Sequence, residues 1–500
     1  MNLSSPLVYL HFPVNTTCCT FPDNYTYKGV KPLTSIRDTS LEHSTYNNIN
    51  IMFDTTDVDS LTSKLNIGRT LFVCVLLITF SLLFTRDVEE FALEPLENMI
   101  MTVKRISENP LQAILAIENE NIIKSTIKDD IEDDEDKKKT EPVILENMIV
   151  KIGALLAVGF GEAGSEIIAK NIENHGAVNA VLSGKKIVAI FGFCDIRNFT
   201  DATEVLQTKV MNFVNEIAAI VHGVVNRCAG SANKNIGDAF LLVWKFKEKE
   251  TIISEIDGET SVSLRKISKV RQTADLAVYS FVKIIAEITK SSVLEKYKKN
   301  ERLKMRIKNY EGVRMGFGLH VGWAIEGGIG SQFKIDASYL SPNVNMSSRL
   351  EAATKQFGAN ILISGELAEL MTPKNKELLR KVDCVTVKGS NQPIDLFTID
   401  LCMRNLAQNV VIKPRINKLT EMEKKRQKVM ANTIRQNLLE KLETSKRITE
   451  NLFSNDQDVA YLREPYNQDF YSIWTTGIEA YIKGDWKTAL RSFKATHVIL

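Results

Sequence analysis

The stretch from residue 186 to 400 predicts an α+β sandwich in which helices flank a mostly antiparallel sheet. Apolar runs typical of strands alternate along it with segments whose apolar residues recur at helical spacing. Short turn signals lie between neighbouring strand-like runs and favour hairpins, which join antiparallel strands. The whole chain, 44% hydrophobic and 25% charged, has the composition of a multi-domain globular protein.

Charge and cysteine usage argue against several classes of protein. The formal net charge of +2 gives no nucleic-acid-binding signature, so we expect no nucleic-acid partner. The 7 cysteines are scattered, without a CxxC pair or a regular spacing, which argues against a zinc site and against a disulfide framework. We expect reduced thiols that serve packing.

The predicted elements of the sandwich follow one another along the chain. The strand "KIVAIFGFCD" precedes the long helix "ATEVLQTKVMNFVNEIAAIVHGVVNRC" and the hairpin "SANKNIGDAFLLVW", which turns at Gly237 and Asp238. The helix "TADLAVYSFVKIIAEI" precedes the strand pair "RMGFGLHVGWAIEG", the helix "NVNMSSRLEAATKQF" and the final hairpin "KVDCVTVKGSNQPIDLFTI". Residues 247–267 are interpreted as a surface insertion.

One apolar segment nearer the N-terminus predicts a membrane span. The run "TLFVCVLLITFSLLFT" contains no charge and is bracketed by Arg69 and Arg86, whose side chains can reach the membrane interface. It is slightly shorter than the ~20 residues of a spanning helix, and the alternative is a buried core helix. We predict a transmembrane helix at 67–86 and, because Asn15 and Asn24 begin Asn-x-Thr sequons, an extracytoplasmic segment at 1–66.

Charge runs and helical periodicity divide the rest of the chain. "EPLENMIMTVKRISENPLQ" predicts a juxtamembrane helix that stops at Asn109-Pro110, and "KDDIEDDEDKKKTE" predicts a solvated linker. A basic helix near the C-terminus is interpreted as a coupling helix, and the last segment weakly resembles one tetratricopeptide repeat. The predicted boundaries are a juxtamembrane segment at 87–128, an acidic linker at 129–141, a signalling helix at 142–180, the α+β domain at 181–402, the coupling helix at 403–455 and a helical hairpin at 456–500.

Two aspartates stand where predicted strands end. Asp195 ends the first strand of the α+β domain, and Asp238 lies in the turn of the next hairpin. If these strands are neighbours, the two carboxylates converge, and like charges at short range need a cation between them. Mg²⁺ binds one or two carboxylates together with substrate phosphates, which fits this pair. The alternative is that Asp195 caps a helix and Asp238 is only a turn residue.

Five motifs carry a resemblance to a known family. "FCDIRNFT", "NKNIGDAF", "GLHVGWAIEGGIG", "NVNMSSRLE" and "VKG" resemble, in order and spacing, the motifs of the class III nucleotidyl cyclase catalytic domain, over roughly 185–402. More closely, the chain resembles the membrane-attached adenylate cyclases of protists. The resemblance implies a class III cyclase-type sandwich and an adenylate cyclase, a phosphorus-oxygen lyase that converts ATP to 3′,5′-cyclic AMP and pyrophosphate in intracellular signalling.

The same resemblance implies the residues of the site. It implies that Asp195 and Asp238, with the main chain of Ile196, hold two Mg²⁺ or Mn²⁺ ions per site. Asn345 and Arg349 match an Asn-x-x-x-Arg pair, Asn orienting the ribose and Arg stabilising the transition state, and their i, i+4 spacing places both on one helix face. The implied phosphate contacts are the main chain around Ile196, Phe199 and Thr200 and the side chain of Lys388.

The choice between purine bases stays open at this point. By resemblance, Lys234 is the base-recognising lysine and Ser338 is its partner, whose hydroxyl can accept from the exocyclic amine of adenine as well as donate. Asp336, two residues before Ser338, is the alternative partner. A guanylate cyclase is therefore the alternative enzyme, and a catalytically silent dimerisation module of a membrane receptor or channel is the alternative from another class.

The resemblance also implies a site shared between two domains. The metal-binding aspartates of one domain face the lysines, Ser338, Asn345 and Arg349 of another, and only one such domain is found in this sequence. We therefore expect a second cyclase domain as partner, in a two-fold homodimer with two equivalent sites. The predicted assembly is a single-pass membrane protein whose catalytic domain is cytoplasmic.

Overall fold

The computed structural model describes most of the α+β region and selected parts of the remainder. The described residues are 7–11, 26–28, 41–46, 49–108, 144–145, 148–156, 159, 161, 164, 184–256, 259–331, 334–386, 393–409 and 421–499. The predicted linker at 129–141, most of the predicted signalling helix, both sequon asparagines and Lys388 lie outside these residues. The chain divides into two units, Met1–Asn98 and Met99–Leu500.

The first unit consists of a small antiparallel sheet followed by a long helix. Its four strands pair in the order β2-β1-β4-β3, where the strands are β1 Leu7–His11, β2 Thr26–Lys28, β3 Leu41–Tyr46 and β4 Ile49–Asp54. Helix α1, Thr56–Val88, contains the predicted transmembrane segment. None of its residues is buried, and together with the helical turns that follow it is long and apolar enough to cross a membrane.

A π-helical turn, Glu89–Leu93, joins α1 to α2, Glu94–Glu108. Helix α2 is described as far as Glu108, and Asn109 and Pro110 lie outside the described residues. The predicted helix stop therefore stays a prediction.

The second unit is built on an eight-stranded sheet with a strand order β13-β14-β12-β10-β5-β7-β6, to which β11 adds on β10. Only the β10–β12 pair is parallel among the described strands of this sheet, so the predicted mostly antiparallel sheet is confirmed. Strands β8 and β9 form a separate hairpin. The strands are β5 Lys185–Ile196, β6 Ser231–Ile236, β7 Ala239–Lys245, β8 Thr251–Ile256, β9 Glu259–Leu264, β10 Met315–Ser331, β11 Lys334–Leu340, β12 Ile361–Ser364, β13 Arg380–Val385 and β14 Ile394–Thr398.

Helices lie between these strands and continue after the last of them. Within the α+β region they are α3 Phe199–Leu206, α4 Val210–Arg227, α5 Ser268–Lys290, α6 Glu295–Lys298, α7 Glu301–Arg306, α8 Pro342–Phe357, α9 Gly365–Leu370 and α10 Pro373–Lys376. After it come α11 Met403–Asn409, α12 Glu421–Thr444, α13 Leu452–Asn455, α14 Gln457–Arg463, α15 Gln468–Ile482 and α16 Trp486–Ile499.

The central strand β5 shows how the layers form. Its alternate residues Val188, Ile190 and Cys194 belong to the main core, together with apolar residues of α4 and α5. Its other residues, including Ile187 and Phe191, belong to a second cluster on the opposite face of the sheet. Because side chains alternate along a strand, Asp195 belongs to this second series and points away from the helical core. The predicted α+β sandwich is confirmed.

Several elements differ from the sequence prediction. The single helix predicted at 202–228 divides into α3 and α4, because Gln207 has a φ of +48° that no α-helix accommodates. The predicted strand pair is one strand of 17 residues, β10, whose glycines do not end it. The short strand β12 was not predicted, and the segment interpreted as a surface insertion contains the separate β8–β9 hairpin, which does not contradict that interpretation.

The last two helices pack against each other, and α15 also packs against the edge strand β13. Gly477 of α15 allows a close approach, since a Cβ there would lie 2.9 Å from the Phe493 ring of α16. The indole of Trp474 donates to the main-chain oxygen of Lys381 at 2.7 Å, and the Arg380 guanidinium lies 4.0 Å from the centre of the Trp474 ring. The similarity of this hairpin to a tetratricopeptide repeat stays a prediction.

Candidate functional site

The fold brings the two predicted aspartates together. Asp195, the penultimate residue of β5, lies opposite Ala239 of β7. Asp238 follows Gly237 in the turn between β6 and β7, where Gly237 has a φ of +65° that favours glycine. The N–H of Ile196 donates to the main-chain oxygen of Asp238 at 3.2 Å. The strand end and the turn are therefore directly joined.

The environment of Asp195 disfavours its negative charge. Burial, followed by the charge of Asp238 and a hydrogen bond to its carboxylate, raises the pKa of Asp195 from 3.8 to about 7. Glu351 raises this pKa further, and the Lys355 ammonium acts in the opposite direction. Two carboxylates held this close provide a site at which a cation would be favoured.

Two residues near this pair were missed by sequence reasoning. Arg197 Nη1 lies 3.0 Å from Glu351 Oε1, and both side chains are largely buried. A second guanidinium nitrogen of Arg197 donates to the Thr354 hydroxyl. Glu351 and Thr354 lie on α8 and Arg197 follows the Asp195 strand, so this contact joins the helix to the turn after β5. The "SRLE" motif contains Glu351 and could have pointed to it, but the motif alone does not specify which face of the helix meets β5.

Helix α8 lies directly on β10 because glycines remove the side chains between them. A Cβ on Gly318 would overlap the main chain of α8 at Ser347, and one on Gly322 would overlap the Asn343 side chain. His320 of β10 is buried, with Nε2 lying 3.2 Å from Asn343 Oδ1 and Nδ1 lying 2.9 Å from Ser364 Oγ. These contacts fix the start of α8.

The predicted ribose and transition-state residues share α8. Asn345 is exposed and Arg349 is half-buried, four residues later and therefore on the same helix face. The polar groups of both side chains can thus serve one ligand.

The predicted base-recognition residues meet on the β6 and β11 strands. Lys234 Nζ donates to Asp336 Oδ2 at 3.2 Å, and this hydrogen bond and charge hold the pKa of Asp336 below its usual value. Lys334 Nζ is 3.6 Å from the same oxygen. Ser338 is two residues further along β11 and so lies on the same face as Asp336. The alternative partner Asp336 is thus the residue that Lys234 contacts.

The predicted phosphate-binding main chain forms a turn between β5 and α3. Ile196 ends β5, Asn198 adopts left-handed backbone with a φ of 57°, and α3 begins at Phe199. The first-turn amides of a helix, here those of Phe199 and Thr200, have no partner within the helix. Such amides can bind phosphate oxygens.

Within the part of the chain that the structure describes, no cluster of three or more His, Cys, Asp or Glu side chains is arranged to hold a metal. The carboxylate pair of Asp195 and Asp238 therefore offers fewer ligands than a site in which the protein supplies the whole coordination shell of a metal. It suits Mg²⁺, which is usually held by one or two carboxylates and completes its shell with water and substrate phosphates.

Two family models match the chain. A model of the adenylate and guanylate cyclase catalytic domain matches residues 183–400. A model of the all-helical domain of RasGEFs matches residues 55–173. The described part of that second range is helical, and it includes the apolar helix α1, none of whose residues is buried.

Relatives and solved structures share the cyclase region. An adenylate cyclase of Anabaena cylindrica is 25% identical over 209 residues, which are 41% of this chain and 36% of that protein. The terminal-differentiation-specific adenylate cyclase of Dictyostelium discoideum is 25% identical over 43% of this chain and 9% of that protein. This chain therefore spans well under half the length of both relatives. A bacterial light-regulated adenylyl cyclase structure is 17% identical, with a TM-score of 0.38, over 60% of this chain and 72% of that chain.

Proposed function

Residues 183–400 belong to the class III adenylate and guanylate cyclase catalytic domain family, as their motifs predicted, and from this premise we propose that the protein is an adenylate cyclase. The proposed reaction converts ATP to cyclic AMP. The ribose 3′-oxygen attacks the α-phosphorus, the bond from that phosphorus to the bridging oxygen breaks, pyrophosphate leaves and the hydroxyl proton passes to solvent. The observation that carries the proposal is the convergence of the Asp195 and Asp238 carboxylates at the end of β5, and the contact of Lys234 on β6 with Asp336 on β11 adds a group that can recognise a base.

Asp195, Asp238 and the main-chain oxygen of Ile196 would hold two Mg²⁺ or Mn²⁺ ions. The raised pKa of Asp195 supports this fit, because a cation removes the repulsion that raises it, and all three groups offer the hard oxygen atoms that Mg²⁺ prefers. When bound, such ions polarise the attacking and leaving oxygens of an in-line displacement.

The remaining groups of the chain would bind and orient the nucleotide. The amides of Phe199 and Thr200 and the side chain of Lys388 would bind phosphate oxygens. Asn345 would fix the ribose, which places the 3′-oxygen behind the α-phosphorus. Arg349 would stabilise the negative charge that grows on the phosphate, since a guanidinium is a planar donor that stays charged at all relevant pH values.

Base recognition would fall to Lys234 with Asp336 or Ser338. The Lys234 ammonium can donate to a ring nitrogen of adenine, and a carboxylate or hydroxyl can accept from the exocyclic amine. The names of the two relatives support adenine as the base. A lysine and a carboxylate can also pair with the oxygen and N–H groups of guanine, so GTP is the competing substrate.

The proposed partner is a second copy of the cyclase domain. Apolar side chains are exposed along the free edge of the sheet, on the β6 turn and on the β10–β11 ribbon, namely Ile236, Trp323, Ile329 and Leu340. Exposed apolar residues grouped around polar site residues are typical of an interface. A two-fold pair would complete two sites.

Membrane attachment is the last part of the proposal. Helix α1 and the turns that follow it are long and apolar enough to cross a bilayer. We propose that the chain crosses the membrane once. The cyclase domain would then lie in the cytoplasm, where ATP is available, and residues 1–66 would lie on the other side.

A product assay tests this function. The full chain, purified in detergent, is incubated with ATP and with GTP in parallel, with Mg²⁺ or Mn²⁺, and Asp238→Asn serves as the matched inactive control. Formation of cyclic AMP and pyrophosphate in equal amounts by the wild type alone supports the proposal. Cyclic GMP as the main product would show that the protein is a guanylate cyclase. Absence of turnover by folded protein would favour the alternative of a catalytically silent dimerisation module.

A further inference from the structure

Helix α12 lies beyond the matched cyclase region and packs beside α4. Its Arg435 side chain donates to Asn226 Oδ1 at 3.0 Å and to the main-chain oxygen of Gly230. One turn earlier, Asn432 Oδ1 accepts from Asn226 Nδ2 at 3.3 Å. The guanidinium thus lies at the C-terminal end of α4, where the helix leaves carbonyl groups unpaired and favours positive charge.

The turn that Arg435 contacts leads directly into β6. Ala229 has a φ of +59°, and the N–H of Gly230 donates to the Val225 oxygen at 2.9 Å. A Cβ on Gly230 would lie 2.6 Å from the Trp244 indole, whose N–H donates to the Cys228 oxygen at 3.0 Å. The turn is therefore tightly packed, and its position sets where β6 begins.

Strand β6 carries the predicted site residue Lys234 and lies at the edge of the sheet, where β7 is its one partner among the described strands. Its register shifts between Ala232 and Lys234. Among the described residues, neither polar atom of the Asn233 side chain, which lies at this shift, has a hydrogen-bond partner. Lys234 follows at once, and the hairpin then turns at Asp238. A small displacement of the α4–β6 turn would therefore reach both site residues.

The far end of the α12 segment is also attached. Glu443 lies 3.0 Å from Lys247 Nζ and 3.1 Å from Lys269 Nζ. After the helix, the Thr449 hydroxyl donates at 2.7 Å to Asp275, a fully buried carboxylate of α5. Because α12 is attached at its middle by Asn432 and Arg435 and near its C-terminal end by Glu443, it can hold the α4–β6 turn in a fixed position.

We propose that α12 is an intramolecular strap that sets the position of β6, and that Arg435 is a positioning residue for Lys234. The proposal rests on the proposed function, since it assigns regulation of that site. A signal or modification that displaces α12 would lower the affinity for the nucleotide base without touching the site itself. The strap acts through Arg435 at the α4–β6 turn, whereas Thr449 only anchors its far end.

Steady-state kinetics of three full-length variants test the strap. Arg435→Met keeps an unbranched apolar side chain but removes the guanidinium with its donors and charge. It should raise the KM for ATP about tenfold, the scale of one hydrogen bond to a charged group, with a smaller change in kcat. Arg435→Lys should recover part of this affinity, because an ammonium keeps the charge but not the planar fork. Thr449→Val should lower the melting temperature and leave KM unchanged.

Hydrogen–deuterium exchange tests the positioning role of α12 independently of the proposed cyclase activity. In Arg435→Met, the amides of Ser231–Ile236 should exchange faster than in the wild type, while those of β13 and β14 should not change, and Thr449→Val should not alter exchange in β6. This readout holds even if the wild type produces no cyclic nucleotide. Unchanged β6 exchange in Arg435→Met, or an equal rise in KM in both Arg435→Met and Thr449→Val, would overturn the proposal.

Discussion

The β6–β7 hairpin contributes one residue to each of two pairs of charged side chains, and the two pairs differ in net charge. At its turn, Asp238 lies beside Asp195, and the pKa of Asp195 rises to about 7. Along β6, Lys234 lies 3.2 Å from Asp336, and the pKa of Asp336 falls below its usual value. The members of the first pair repel each other, whereas those of the second carry opposite charges.

In the proposed function, this difference corresponds to two kinds of recognition. The carboxylate pair would be stabilised by a cation, and it would thereby recruit a metal ion and, with the metal, polyphosphate. The lysine–carboxylate pair is solvent-accessible, and exposed ion pairs contribute little to stability. A purine base that offers one acceptor and one donor can therefore open this pair and bond to both partners.

The largest expected effect comes from removing one charge of the carboxylate pair. Asp238→Asn keeps the size of the side chain and loses the charge that holds a cation, so cyclase activity should fall on the order of 10³-fold. The same change should raise the melting temperature in the presence of EDTA, because repulsion of Asp195 is relieved. Activity and thermal unfolding are measured on the same preparations.

The pH dependence sharpens this prediction. A carboxyl whose pKa is raised from 3.8 to about 7 on folding contributes stability at acid pH that is lost as pH rises through this window. The melting temperature of wild-type protein in EDTA should therefore fall between about pH 4 and 7 more steeply than that of Asp238→Asn. Equal slopes, or near-wild-type activity at saturating Mg²⁺, would mean that the two carboxylates do not act as a pair.

The two pairs also differ in how far the sequence could predict them. The convergence of Asp195 and Asp238 follows from strand-like runs that end at a glycine turn, and the sheet confirms the neighbouring strands. The contact of Lys234 with Asp336 depends on the register of β10 with β11 and on the shift within β6, which no local pattern specifies. Glu351 and Arg435 were missed for the same reason, since both act through tertiary contacts of helices.

The second largest effect should come from a residue that belongs to neither pair. Lys234 is already engaged by Asp336, so the positive charge for the transition state would come from Arg349. Arg349→Ala should lower kcat by on the order of 10²-fold with a smaller change in the KM for ATP. Initial rates over a range of ATP concentrations separate the two constants, and an effect confined to KM would limit Arg349 to ground-state binding.

Mixing inactive variants tests whether Arg349 acts on the carboxylate pair of the other protomer. In a heterodimer of Asp238→Ala and Arg349→Ala, both lesions fall into one of the two sites and the other site is intact. Random exchange should restore about one quarter of wild-type activity, because half of the dimers are mixed and each has one working site. Each variant alone stays inactive. Absence of recovery in variants that exchange subunits would place the whole site within one protomer.

The smallest expected effect distinguishes Asp336 from Ser338 as the partner of Lys234. If the carboxylate accepts the exocyclic amine of adenine, Asp336→Asn should raise the KM for ATP by about 3- to 10-fold and reduce the preference for ATP over GTP, with kcat less affected. Ser338→Ala should then change KM less. Lys334→Gln is the matched control, because Lys334 approaches the same carboxylate at 3.6 Å but is 80% exposed. A larger loss of base preference in Ser338→Ala than in Asp336→Asn would show that the ion pair is only a resting contact, and that nucleotide binding turns Lys234 toward the hydroxyl.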